Sequence, residues 1–482
     1  MKVDKTDKEP IKLPHYYKRP SRLKKSSSSS SSLSFKNTLK SLGPGLVTGA
    51  SDNDPSGIAT YSQAGAKFGY GQLWMAIVTF PLLLTIEEMC ARIGLVSGKG
   101  LSQIIKENYS NKLLYVVSSL LLIANTINIG ADIGAMGASL RLLVPQVPFI
   151  LATLAFTAII LTAEIFIPYN IYSKVLKFFA FSLFIYVLTA FLVVHNTEWG
   201  NIAKSTLIPH FEFKKDFILM FIAILGTTIS PYLFFWQTAQ EVEEEVRKGK
   251  VKEMGECNGG SINNNNCANK NDNKNVNNHP IVTKKDVKKM RIDVIAGMAL
   301  SQTIFWFIII TSASVLHNNG VINIASAQEA AKALQPLVKI FPYSGQIASG
   351  LFAAGIIGTG LLAVPVLAGS ASYAVSECFS WKEGLYKKFL QAPKFYGVII
   401  ASTVIGLWIN FSNIDPIQAL IYTAVINGIV SVPLLIIIMK IANSKKILGD
   451  KVNNKVSNII ALVTIIAMGS ASAAMAIYNW IL

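Results

Sequence analysis

The sequence predicts an all-α integral membrane protein of eleven spans, arranged as two inverted five-helix repeats plus an eleventh transmembrane helix. Three observations carry this. Of 482 residues, 51% are hydrophobic and 15% charged, with a mean hydropathy of +0.44, a composition unlike that of soluble proteins. Eleven apolar windows each approach or exceed the length that crosses a bilayer as a helix. The first and sixth windows are interrupted by proline among small polar residues. Helices five spans apart run in opposite directions, which is how inverted repeats place two broken helices around one midplane site.

Residues 1–41 are basic and polar, and the run Ser26 to Ser32 is low-complexity sequence that cannot bury enough surface to fold, so a disordered cytoplasmic tail is expected. It has no apolar core followed by a small-residue cleavage site, so it does not read as a secretion signal. The spans follow at roughly 43–65, 70–94, 114–140, 147–168, 172–194, 216–238, 292–315, 342–368, 395–411, 418–439 and 456–480. The transporter domain therefore covers 42–480, with repeat one at about 42–195, repeat two at about 216–439 and the eleventh span at about 456–480. Residues 255–280 are rich in Asn and Gly and read as a disordered cytoplasmic insertion. Its Cys257, Cys267 and His279 match no standard zinc spacing, and the four cysteines form no close CxxC pair.

A surplus of 17 positive charges raises the question of nucleic acid, but the charges lie between apolar runs, so no nucleic-acid partner is expected. They segregate instead. With the amino terminus inside, 36 of the 44 Lys and Arg fall on the cytoplasmic side and 7 on the other, with Arg92 at the end of span two. Only an odd number of spans gives that bias together with an outside carboxyl terminus. The expected location is the plasma membrane, with lipid and the transported ion as partners and a monomer as the working unit.

A carboxylate in hydrocarbon costs several kcal/mol and needs a partner, a cavity or a function. Span one reads Gly49-Ala50-Ser51-Asp52-Asn53-Asp54-Pro55-Ser56-Gly57. Pro55 removes a donor and Gly57 resists unwinding little, so the helix is expected to break and to set carbonyls beside the Asp54 carboxylate, a group of hard oxygen ligands at mid-depth. A bent helix with a neutral or paired Asp is the plainer alternative. Span six repeats the device in Gly226-Thr227-Thr228-Ile229-Ser230-Pro231-Tyr232, with Gln237 further along. The candidate metal ligands are Asp54, Ser51, Ser56, Thr227, Thr228, Ser230 and Gln237; the helix-breaking positions are Pro55, Gly57 and Pro231.

Glu87 and Glu88 in span two are adjacent and point about 100° apart, so they cannot pair on one ligand. Asn125, Asn128 and Asp132 share one helical face, which fits either helix-to-helix hydrogen bonding or a route for ions. Glu87, Glu88, Asn128, Asp132 and Tyr232 are the candidates for an ion or proton path. The histidines, His15, His195, His210, His279 and His317, fall in tails, loops or span ends, so no imidazole relay in the membrane is expected.

These residues resemble the natural resistance-associated macrophage protein family. The resemblance lies in Gly43-Pro44-Gly45 through Gln63-Ala64-Gly65, with Asp54-Pro55-Ser56-Gly57 at the family's Asp-Pro-Gly-Asn motif, in Arg92-Ile93-Gly94-Leu95-Val96-Ser97-Gly98-Lys99, and in Ile426-Asn427-Gly428. It covers about residues 40–480 and implies a LeuT-like fold that imports divalent cations, often with protons. Asp54 stands at the family's metal-binding aspartate. Gly57 stands at its asparagine ligand, and Ser230-Pro231-Tyr232 replaces its Met-Pro-His. Without the thioether the preference for softer ions fades, and Mg²⁺ tolerates few ligands plus water. The pattern resembles the family's magnesium-permeable branch.

The function expected is secondary transport of Mg²⁺ and/or Mn²⁺ by alternating access, with weak or absent proton coupling, no enzymatic activity and no resident cofactor. The competing readings are a proton-coupled Mn²⁺/Fe²⁺ symporter, an amino-acid transporter of the same fold, and a channel or non-transporting scaffold.

Overall fold

The computed structural model describes residues 43–167, 183–194, 199–254, 256–257, 280–338, 343–411 and 414–481. The tail at 1–41, most of the Asn-rich insertion and the first part of the fifth span lie outside the described residues. In chain order the helices are α1 (Pro44–Ser51), α2 (Pro55–Phe68), α3 (Trp74–Ser97), α4 (Leu101–Asn108), α5 (Asn111–Leu143), α6 (Phe149–Phe166), α7 (Phe184–Val193), α8 (Trp199–Leu207), α9 (Lys215–Thr228), α10 (Pro231–Arg247), α11 (Lys284–Val315), α12 (Ala327–Ala331), α13 (Ser344–Phe379), α14 (Pro393–Ile409), α15 (Pro416–Ala442), α16 (Lys445–Leu448) and α17 (Lys455–Ile481). One antiparallel ribbon, Val251–Glu253 with Glu256–Cys257, follows α10, so regular structure extends two residues into the expected insertion.

Among the described residues, eight segments are long and apolar enough to cross a membrane, counting α9 with α10 as one; α7 and α14 are shorter apolar helices. With the split pair α1 and α2 these match the eleven expected windows, the fifth only in part. Polar and apolar groups are distributed inside out. Leu151, Ile159, Leu188, Phe191, Ile405, Ile429, Ile459 and Ile466 are exposed around the bundle, while Asp52, Asp54, Glu87, Asn128, Asp132 and Gln237 are buried within it. Lipid tolerates the first set, and the second requires protein around it. The chain is an all-α, multi-pass membrane protein.

Several helices run past their apolar windows. α10 continues to Arg247, α11 begins at Lys284 and α13 ends at Phe379. Hydropathy detects only the length that crosses hydrocarbon, whereas a helix goes on in water when ends and faces are satisfied. Glu244 pairs with Arg247 and Lys248 along α10, and Thr283 with Asp286 forms a capping box at the start of α11.

α1 is positioned from outside itself. It has no side-chain cap of its own; instead Asp293 of α11 accepts from the Gly43 and Gly45 amides, each at 2.8 Å, a carboxylate at the positive end of a helix dipole. A Cβ on Gly49 would fall 2.2 Å from the Gly297 backbone, so α1 lies directly on α11 at a contact that tolerates only glycine.

Candidate metal-binding site at the two helix breaks

Both expected breaks are present, and they face each other. α1 stops at Ser51 and α2 restarts at Pro55, with Asp52, Asn53 and Asp54 between them. Asp54 is extended and caps α2, its Oδ1 accepting from the Gly57 amide and the Ser56 hydroxyl, both at 2.7 Å. Its Oδ2 accepts from Asn128 Nδ2 of α5 at 3.1 Å. In span six, α9 stops at Thr228 and α10 restarts at Pro231. In each case an extended residue precedes a proline at the first helical position, where the missing N–H costs nothing.

Three contacts join the breaks: Ser56 Oγ to Thr227 Oγ1 at 3.3 Å, Tyr61 Oη to Thr228 Oγ1 at 3.1 Å, and Tyr232 Oη donating to the Ser51 carbonyl at 2.9 Å. The carbonyls expected to lie bare at the breaks are largely engaged by side chains. Ser230 Oγ lies 2.7 Å from both the Gly226 and Thr227 oxygens, and Ser431 donates to the Ile229 oxygen at 2.7 Å. A buried carbonyl without a donor is costly, so neighbouring hydroxyls satisfy it. A cation arriving here meets Asp54 and hydroxyls first.

The remaining candidates divide. Ser51 turns its hydroxyl back to the Val47 carbonyl at 2.9 Å and offers the break its own carbonyl. Gln237 lies away from Asp54, accepting from Thr48 and donating to Glu241. Gly57 sits in the first turn of α2, not in the break; a Cβ there would lie 3.3 Å from the Asp52 carbonyl, Thr227 Oγ1 and the Tyr61 ring, so an asparagine would have to push Thr227 aside. Glu88 pairs with Arg92 at 3.1 Å and Arg291 at 2.8 Å at the end of the bundle, apart from the break. Glu87 and Asp132 are buried, and no carboxylate oxygen of either has a hydrogen-bond partner among the described residues. Asn125 donates to the Leu367 carbonyl at 2.9 Å, so the polar face of α5 serves both helix packing and the Asp54 site.

Sequence reasoning counted Asp52 among the buried carboxylates without giving it a partner, and overlooked Ser301. Ser301 of α11 donates to Asp52 Oδ2, yet a lone serine in an apolar helix gives no signal by itself. Along α2, Gln63 donates to the Ile322 carbonyl and accepts from the Ile324 amide while Lys67 pairs with Asp216 at 2.8 Å; along α1, Thr48 donates to Gln237. Among the described residues no group of three or more His, Cys, Asp and Glu could hold a metal ion. Asp54 thus sets its carboxylate among the Ser56 hydroxyl, the Gly57 amide and the Asn128 side-chain amide, with the Thr227 hydroxyl beside Ser56.

The sequence model of the natural resistance-associated macrophage protein-like family matches residues 45–478. The chain belongs to this family. A divalent metal cation transporter MntH of Caldanaerobacter subterraneus subsp. tengcongensis is 23% identical over 445 residues, covering 89% of this chain and 91% of the relative; one of Yersinia enterocolitica is 22% identical, covering 89% and 93%. Among solved structures, a manganese transporter of Eremococcus coleocola superposes with a TM-score of 0.66 at 18% identity over 92% of this chain and 87% of that one. Mhp1, a nucleobase-cation-symport-1 family transporter, gives 0.53 at 12% over 90% and 91%. The fold resembles that of LeuT-type transporters.

Proposed function

We propose that this chain is a secondary transporter that carries divalent metal cations across the plasma membrane by alternating access, with Mn²⁺ as first cargo and Mg²⁺ admitted beside it. The observation that carries the reading is the Asp54 carboxylate, buried between two facing helix breaks with hydroxyls of Ser56 and Thr227 beside it. The relatives, named as divalent metal cation and manganese transporters, support Mn²⁺ over a magnesium-first assignment. The proton-coupled Mn²⁺/Fe²⁺ symporter thus moves ahead of the uncoupled magnesium importer. Asp132, one turn past Asn128 with unpartnered carboxylate oxygens, is the proton acceptor this reading assigns.

Ser230 and Gly57 give the site an oxygen-only donor set, which supports admission of Mg²⁺ and the kinship with the magnesium-permeable branch. The acidic break would repel an amino-acid carboxylate. The contacts at Gln63–Ile324 and Thr48–Gln237 are proposed as the two gates. The architecture proposed is two inverted five-helix repeats, about 42–195 and 216–439, plus an eleventh helix, with the amino terminus, the tail and the 255–280 insertion cytoplasmic.

Purified protein in liposomes, given Mn²⁺, Mg²⁺ or Ca²⁺ with internal pH recorded, tests the proposal. Mn²⁺ and Mg²⁺ should enter, Mn²⁺ at the lower KM, and the lumen should acidify in proportion to Mn²⁺ flux, an effect lost in Asp132→Asn. Absence of metal flux rejects transport; Mn²⁺ flux without acidification returns the uncoupled reading.

A further inference from the structure

The loop that joins two spanning helices, α13 and α14, runs from Ser380 to Ala392 and shows charge of one sign to its surroundings. Lys382 and Lys388 are exposed in it, as is Lys394 at the start of α14, while its one carboxylate, Glu383, is buried. Leu390 is 88% exposed in the turn Phe389–Gln391, outside every apolar window of the sequence. The loop is held from beneath: the Leu385 amide donates to Glu243 at 2.6 Å and the Tyr396 hydroxyl to the Lys387 carbonyl at 2.7 Å. Its exposed side chains are therefore presented on an anchored backbone.

An aromatic ladder connects this loop to the outer surface of the bundle. Tyr115 near the start of α5 and Phe379 at the end of α13 are each about half exposed, with ring centroids 6.3 Å apart. Phe379 stacks on Trp381 at 5.0 Å, and the Lys394 ammonium lies 5.0 Å over the Trp381 ring. Lys106 of α4 joins the patch, donating to the Cys378 carbonyl and the Ser380 hydroxyl, both at 2.7 Å. Glu107, the carboxylate of α4, is paired with Lys99 at 2.6 Å. Rings that lead out of hydrocarbon and end among ammonium groups match a molecule that is apolar at one end and anionic at the other. A free phosphate would meet the lysines and leave Leu390, Phe379 and Tyr115 uncovered.

We propose that Trp381, Lys382, Lys388, Leu390 and Lys394 form a docking surface for an anionic phospholipid of the bilayer, its phosphate among the lysines and its acyl chains along Phe379 and Tyr115. Trp381 then sits at headgroup depth, Leu390 enters the acyl boundary, and charge neutralisation supplies the preference over zwitterionic lipid. The patch shares an end of the molecule with the stem of the Asn-rich insertion: Glu377 of α13 accepts from the Gln103 amide at 3.0 Å, and a Cβ on Gly98 would meet Pro280 and Val251 at 3.3 and 3.4 Å. In the orientation proposed above, that end faces the cytoplasmic leaflet, where anionic lipid concentrates. Only the choice of leaflet rests on that orientation.

Purified full-length protein in neutral detergent is titrated with phosphatidylglycerol brominated near the top of its acyl chains, and in parallel with phosphatidylcholine brominated in the same way. The part of the tryptophan quenching that disappears in Trp381→Phe reports contact at the patch. Metal flux plays no part in this readout, so its failure leaves the transport reading untouched. Half-quenching at Trp381 should need about tenfold less phosphatidylglycerol than phosphatidylcholine, and salt at about 0.5 M should shrink that ratio. In Lys382→Gln/Lys388→Gln/Lys394→Gln the ratio should fall to within about twofold. Lys382→Gln/Lys388→Gln, which keeps Lys394 over Trp381, should fall between the two, so the test stands if the triple variant fails to fold. Equal quenching by the two lipids in the wild type overturns the proposal and leaves an acidic protein segment as the occupant to seek. A preference unchanged in the lysine variants overturns it as well. So does a preference abolished by millimolar inorganic phosphate, which would make the patch a site for a soluble anion.

Discussion

The two helix breaks share one backbone device and differ in chemistry. Each places an extended residue before a proline that restarts the helix. The first packs Asp52, Asn53 and Asp54 into three consecutive positions. The second holds no ionisable side chain from Gly226 to Pro231, and its carbonyls are engaged by Ser230 and Ser431. A gap in a helix therefore does not make a cation site by itself. In the proposed site, charge on one break would draw the ion while the other would shape the donor set around it.

The largest expected effect is at the charged break. Asp54→Asn preserves shape and the Gly57 cap but removes the charge; uptake of Mn²⁺ and Mg²⁺ at subsaturating metal should both fall at least about tenfold, or ~1.4 kcal/mol. Near-normal uptake at equal membrane expression would end the assignment.

At the uncharged break the expected change is in preference. Ser230→Met removes the hydroxyl from the Gly226 and Thr227 carbonyls and adds a soft donor. In competition uptake, Mn²⁺ or Cd²⁺ should gain on Mg²⁺ by about fivefold, ~1 kcal/mol. Unchanged preference with intact transport would remove Ser230 from the selectivity argument.

The smallest effect is expected in the Asn-rich stretch. Replacing residues 258–279 with a short Gly/Ser linker, keeping the Val251–Glu253 and Glu256–Cys257 ribbon, should leave uptake within about twofold, because closure entropy depends weakly on loop length. A large loss of metal affinity with normal insertion would make the stretch part of the transport machinery.

The breaks are legible in sequence because a proline next to acidic residues is costly inside an apolar window and stays there only where the helix is interrupted. The shared face of Asn125, Asn128 and Asp132 follows from helical spacing. What that face touches does not. Asn128 meets Asp54 and Asn125 meets Leu367 only through the packing of distant helices. Asp293 reads as an ordinary charge near a span end, yet it caps α1 from some 250 residues away. The place of Ser230 before Pro231 predicts a hydroxyl facing the ion. The residue does lie in the break, but a hydroxyl's direction depends on which acceptors the fold leaves near it, here two carbonyls of its own span.

Calorimetric Mn²⁺ binding to purified Asp54→Asn and Ser230→Ala, measured side by side with the wild type, tests most directly whether the charge of one break and the geometry of the other divide the work. The Kd should rise at least about tenfold in Asp54→Asn and less than about threefold in Ser230→Ala, since losing the serine hydroxyl removes no charge. Equal losses in the two variants, or a larger loss in Ser230→Ala, would contradict the account.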